Sequence, residues 1–190
     1  MTTNPSPPAA ITPQPAQATA ATHPWHRWFA RLWLDYLFAA LILGVILGIA
    51  FPESSLLSND YALMWVSAAF WTIAEAVFVA SIGTTPGKYL VGIRIEKPGG
   101  QLLSLSEAFS RSFSAWAIGC AFLIPLISLF TLNAQYNRLR KGKPSTWDDK
   151  SGFVVIHTPL STARALLLVL VVLGVLGLIV LGTMAARPQQ

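Results

Sequence analysis

Apolar residues along this chain neither alternate nor recur on one helical face; they run together. Residues 32–51, 62–82, 112–133 and 164–186 are each a stretch of mostly Leu, Ile, Val, Ala, Phe and Gly, and about 20 such residues in a helix cross the hydrocarbon core of a bilayer. The pattern predicts an all-α membrane protein, a bundle of about four hydrophobic helical segments. Between the second and third runs, Ile93 and Ile95 alternate with Arg94 and Glu96, and Pro98-Gly99-Gly100 follows as a turn, the mark of a short strand. Phe-Val-Val-Ile-His over 153–157 reads as another. Neither would be stable alone, so the two are expected to pair as a small cytoplasmic β-sheet if both loops lie on one side.

The third run leaves two readings open. Ser104 and Glu107 have capping-box spacing, apolar residues continue to Leu132, and Gly119 with Pro125 supplies a break. Either the run enters and returns to the same side, or a surface helix over 105–113 precedes one proline-kinked span. Basic residues bear on this choice, because Lys and Arg near span ends report orientation. Arg27 and Arg31 precede the first span, and residues 52–61 contain no Lys or Arg but carry Glu53 and Asp60. The N-terminus is therefore expected in the cytoplasm. If the third run returns, twelve of the 13 basic residues lie inside and Arg187 alone outside; a simple span puts Arg138, Arg140, Lys141, Lys143, Lys150 and Arg164 outside. Charge bias favours the return.

Residues 1–22 are Pro, Ala, Thr, Ser and Gln without a charged side chain, a composition that cannot bury a core and is expected to form a disordered tail. It lacks the basic start and apolar centre of a signal peptide. Residues 23–158 are expected to form the membrane domain, and 159–190 an additional C-terminal transmembrane segment with a short tail. The single Cys120 excludes an intrachain disulfide. A net charge of +5 does not point to nucleic acid, since no basic helix or aromatic RNA-binding motif accompanies it.

Charges inside apolar runs are the candidate chemistry, because they are costly there and serve packing, polarity or transport. Arg31 and Asp35 share a helix face at i and i+4 and are expected to pair. Functionally they would be a coupling or ion-path pair; structurally, Arg31 would reach the headgroups while Asp35 caps a neighbour. Glu75, two-thirds along the second run, is expected to be protonated or partnered, serving either proton exchange or a helix–helix contact. Gly44 and Gly48 have the small-xxx-small spacing of close helix approach, and Trp25, Trp28, Trp33 and Trp65 fit interfacial belts. Thr84-Thr-Pro86-Gly87-Lys88 lacks the spacing of a nucleotide-phosphate loop and reads as an exit turn with Lys88 in the headgroup layer. His23, His26 and His157 are scattered without Cys partners, so no metal site is expected. No hydrolase motif appears. Neither catalytic residues nor a cofactor are expected.

The motifs in order resemble the RDD family of small, mainly bacterial membrane proteins, named for one arginine and two aspartates. They are His23-Pro-Trp-His-Arg-Trp-Phe-Ala-Arg31-Leu-Trp-Leu-Asp35-Tyr at the first span, Glu75 followed by Gly83-Thr-Thr-Pro86-Gly87-Lys88-Tyr-Leu-Val-Gly92-Ile-Arg94-Ile, and Ser145-Thr-Trp-Asp148-Asp149 before the second strand. By resemblance Arg31 and Asp35 are the first R and D, and the second D is Asp148 or Asp149. Relatives often continue with an Ala-Gly-Thr-Val-Val-like strand where this chain has Lys150-Ser-Gly-Phe-Val-Val. The final run lies beyond the 24–157 stretch that carries the resemblance. The resemblance implies location in the bacterial cytoplasmic membrane and, for some members, transport including cation/proton exchange. It also suggests that Asp148 or Asp149 contacts Arg31 and ties the sheet to the first helix. Two functions are expected on equal terms. One is a small transporter or transporter subunit titrating at Asp35 and Glu75. The other is a non-enzymatic scaffold or accessory protein binding other membrane proteins. Partners are the bilayer, anionic headgroups at the basic loops, and a second copy or other membrane proteins.

Overall fold

A computed structural model describes residues 24–54, 56 and 59–185. The tail expected over 1–22, His23 and Arg187 lie outside the described residues. The chain starts as α1 (Pro24–Phe29), widens into a π-helical turn (Ala30–Asp35) and continues as α2 (Tyr36–Ala50). A second helix, α3 (Asp60–Ile82), is started by Asn59, whose side chain accepts from the Ala62 N–H at 3.0 Å. Gly83 ends it at φ 75°, the left-handed conformation that a C-terminal cap takes most easily as glycine. Among the described residues, two helices are long and apolar enough to cross a membrane, Trp25–Ala50 and Asp60–Ile82. The last helix, α8 (Thr162–Ala185), adds a shorter apolar stretch over Thr162–Leu178.

Between α3 and α8 lie the short helix α4 (Pro86–Leu90), strand β1 (Ile93–Glu96), helices α5 (Leu105–Ser114), α6 (Pro125–Arg140) and α7 (Thr146–Ser151), and strand β2 (Val154–His157). The Ser104–Glu107 capping box forms as its spacing predicts and starts α5. From there the third apolar run passes through a π-helical turn (Ala115–Gly119) and breaks, with Ala121 and Phe122 at φ 45° and 52°, before Pro125 opens α6. Hydroxyls of Ser128 and Thr131 reach back to the Cys120 and Gly119 carbonyls freed by the break. The run doubles back. The Thr131 hydroxyl near its tail donates to the Gly119 carbonyl at 2.8 Å, 12 residues back, whereas a straight helix would put the two about 18 Å apart at ~1.5 Å per residue. A single kinked helix does not fit that contact.

The two strands pair antiparallel, Ile93 opposite His157 and Ile95 opposite Val155. Their period-two pattern turns Ile93 and Ile95 inward. Ile95 packs with Ala76, Val79, Leu103 and Ala108; Ile93 packs with Ala30 and Val91. The sheet thus closes over the lower turns of the first two long helices. One packing expectation is not met. Among the described residues a Cβ at Gly44 or Gly48 would meet nothing within 4 Å, so none of the described helices packs closely there; the buried residues of α2 are Ala39 and Leu43.

Candidate functional site

At the base of the long helices, the Gly83–Lys88 loop wraps the first candidate carboxylate. Thr85 has extended backbone geometry and N-caps α4, its hydroxyl accepting from the Lys88 N–H; Pro86 sits at the first helical position, where its missing N–H costs nothing. Gly87 is pressed against the π-helical turn so closely that a Cβ would lie 2.5 Å from Asp35 Oδ1 and 2.7 Å from Leu34 Cβ. Only glycine permits that approach, and the approach delivers its N–H to Asp35 Oδ1 at 2.9 Å. The Thr85 hydroxyl donates to Asp35 Oδ2 at 2.7 Å and Lys88 Nζ to the same oxygen at 2.9 Å. The loop therefore does bind an anion, the chain's own Asp35.

Lys88 is a second departure from expectation. It is 5 % exposed, and its ammonium bridges two carboxylates from different helices, with Asp35 Oδ2 and Glu75 Oε1 each at 2.9 Å. An ammonium this far from water is retained only where charge partners replace its hydration, and two do so here. Glu75, fully buried in α3, also faces Arg31 at 3.3 Å and Arg111 at 3.5 Å. Of the two options for this carboxylate, the partnered one is realised. Arg31 does not pair with Asp35. Both stand in the π-helical turn, but Arg31 reaches across to α3 while Asp35 turns to the α4 loop.

A third carboxylate extends the cluster. Asp148 is fully buried at the start of α7, bound by Arg111 Nε at 2.8 Å, by Arg27 and by the Ser145 hydroxyl. Burial alone raises its pKa, but Arg111 and Arg27 with the Ser145 hydrogen bond outweigh that and hold it below the usual carboxylate range. The tie from the α7 segment to the first helix exists, but through Arg27, one turn before Arg31. Arg31 instead lies over the Trp147 ring, 5.9 Å from its centroid. Asp149 points the other way, its side chain 55 % exposed and paired with Arg138 at 2.8 Å.

Arg31, Asp35, Glu75, Lys88 and Asp148 thus converge, with Pro86 and Gly87 shaping the loop. Gly92, Arg94 and Asp149 stay outside. At Gly92, φ is 71° and a Cβ would meet the Thr158 carbonyl at 2.6 Å, so it holds the end of β2. Arg94 lies on the outer face of β1 beside Glu96. Sequence reasoning counted Arg27 and Arg111 only as topology signals, and both are cluster members. Arg27 has a usable signal, its i−4 spacing from Arg31. Arg111 has only its place where polar α5 becomes apolar.

Apolar membrane-length helices standing on a buried ion-pair cluster define a helical, membrane-associated protein. The chain belongs to the RDD family, whose sequence model matches residues 21–190, the last apolar run included. No curated protein and no solved structure matches it.

Proposed function

We propose that the protein is a non-enzymatic, multi-pass protein of the bacterial cytoplasmic membrane, with its N-terminus and the small sheet on the cytoplasmic side, serving as a scaffold or accessory to other membrane proteins. Four hydrophobic segments make up the bundle: Trp25–Ala50, Asp60–Ile82, the folded-back third run and α8. The supporting observation is that Asp35, Glu75 and Asp148 are each already neutralised by Lys88, Arg31, Arg111 or Arg27. Such a network joins α1, α3, α4, α5 and α7 into one rigid base and offers no free carboxylate to a passing cation. The outward basic groups Arg94 and Arg164 suit anionic headgroups. In proteoliposomes the purified protein should give no Na⁺-, K⁺- or Li⁺-driven proton flux and should hold a defined membrane partner through gentle-detergent purification; saturable flux would overturn the scaffold reading.

Transport is the second reading, and Lys88 favours it. One ammonium shared at 2.9 Å by carboxylates from two long helices is an exchangeable link: a proton or cation replacing it at Glu75 would loosen one helix from the other. Flux lost in Lys88→Met while the protein still accumulates in the membrane is what this reading expects. Topology tests both. In a Cys120→Ser background, a cysteine at 142 should be shielded from an impermeant thiol reagent on intact cells, and one at 59 labelled.

A further inference from the structure

Four cationic side chains, Arg27, Arg31, Lys88 and Arg111, face three carboxylates in the cluster, and none of the seven side chains is more than 13 % exposed. One positive charge is left over where water is scarce. Each cation has a carboxylate beside it, but a net charge buried in the cluster as a whole is disfavoured, so the surplus calls for an anion. The cavity beside the cluster has the lining for one. It holds about 40 Å³; the same four cations, Trp28, Trp147 and Gln135 bound it along with aliphatic side chains, while Asp35, Glu75 and Asp148 do not line it. Three donors of residues in its wall are cut off from solvent and have no hydrogen-bond partner among the described residues: Arg31 Nε, Trp28 Nε1 and Trp147 Nε1. Arg31 and Trp147 are each only 8 % exposed. Donors stranded in this way carry a desolvation cost that an acceptor would remove.

We propose that this cavity binds one halide-sized monovalent anion, chloride in the cell, which neutralises the surplus charge and accepts from the indole and guanidinium N–H groups. A water molecule could accept the same bonds but would leave the charge. The cavity has room for a small anion, since about 40 Å³ exceeds the roughly 10–15 Å³ that already holds one water. The site is independent of whether the protein transports or scaffolds: a bound, non-exchanging chloride would serve either.

Equilibrium dialysis of the full-length protein in detergent with radioactive chloride, ionic strength held with sodium gluconate, tests it directly. One chloride should bind per chain, and the thermal midpoint should rise saturably with chloride and bromide but not with gluconate. Trp147→Phe removes the indole N–H together with the outer ring edge that lies beside Gly119; the apparent dissociation constant should rise at least about 10-fold, as for loss of one hydrogen bond to a charged group. Trp28→Phe should act in the same sense and serves if Trp147→Phe does not fold. No bound chloride in the parent protein, or equal affinity in the parent and the indole variants, would overturn the site. Protection by inorganic phosphate without protection by chloride would also overturn it.

Discussion

The two halves of the long helices obey different rules. At the base, the buried carboxylates each have named partners: Asp35 accepts from Gly87, Thr85 and Lys88, and Glu75 from Lys88 and two arginines. Farther along, Ile49 is 79 % exposed and Leu170 65 %, and a Cβ at Gly44 or Gly48 would meet nothing within 4 Å among the described residues. Apolar surface of that extent is not tolerated in water and fits a membrane-associated protein. The apolar ends therefore depend on composition and tolerate exchange among apolar residues, whereas the base depends on individual atoms.

The sharpest way to break this contrast is at Glu75. Glu75→Gln leaves three cations with a neutral amide and should cost about 3–5 kcal/mol, as for removal of one partner of a buried ion pair; a thermal midpoint in detergent equal to the parent's would mean that the cluster carries no stability. Gly87→Ala comes next. Its methyl would fall on Asp35 Oδ1 and Leu34 Cβ, and overpacking of that kind costs about 1–3 kcal/mol, with the Gly87 N–H bond lost in addition. Accumulation and midpoint matching the parent's would show that the loop can move away freely.

Acid should loosen the base through Asp148. Its folded-state pKa is depressed, so the unfolded chain takes up the proton first as pH falls. The contribution is complete above the unfolded value of about 3.9 and is lost as pH drops through the lower folded value. The parent should lose stability below about pH 4, and Asp148→Asn should flatten that slope; an unchanged slope in the variant would assign the acid sensitivity elsewhere. The smallest effects mark the other side of the comparison. Asp149→Asn breaks only an exposed pair with Arg138, and Gly48→Leu enters open space. Each should stay within about 0.5 kcal/mol of the parent. A large loss in Gly48→Leu would reveal a helix from another chain on that face.

Much of the fold was legible because its signals are local. Ile93 and Ile95 alternate with Arg94 and Glu96 and form β1; Ser104 and Glu107 start α5; Gly119 and Pro125 bracket the break. The charge count favours a return of the third run to the same side of the membrane; in the structure the chain reverses direction there, Thr131 reaching the Gly119 carbonyl. The site was legible as a set of residues and not as a set of pairs. Arg31 and Asp35 were matched to each other by helical spacing, yet each found a stronger partner across the fold. Lys88 read as a headgroup lysine because it follows a helix end, and nothing local announces that α4 folds back under the first helix.

Sequence alone determined the membrane-length apolar helices, the strand pair, the turn at Pro125 and the family, since hydrophobic runs, period-two alternation and motif order are properties of the chain itself. Tertiary structure decided which charge meets which: Asp148 inside and Asp149 outside, Lys88 between Asp35 and Glu75, Arg27 rather than Arg31 on Asp148. The reason is physical. Pair energies in a buried cluster depend on distance and desolvation, and both are set only when elements far apart in the chain close on one another.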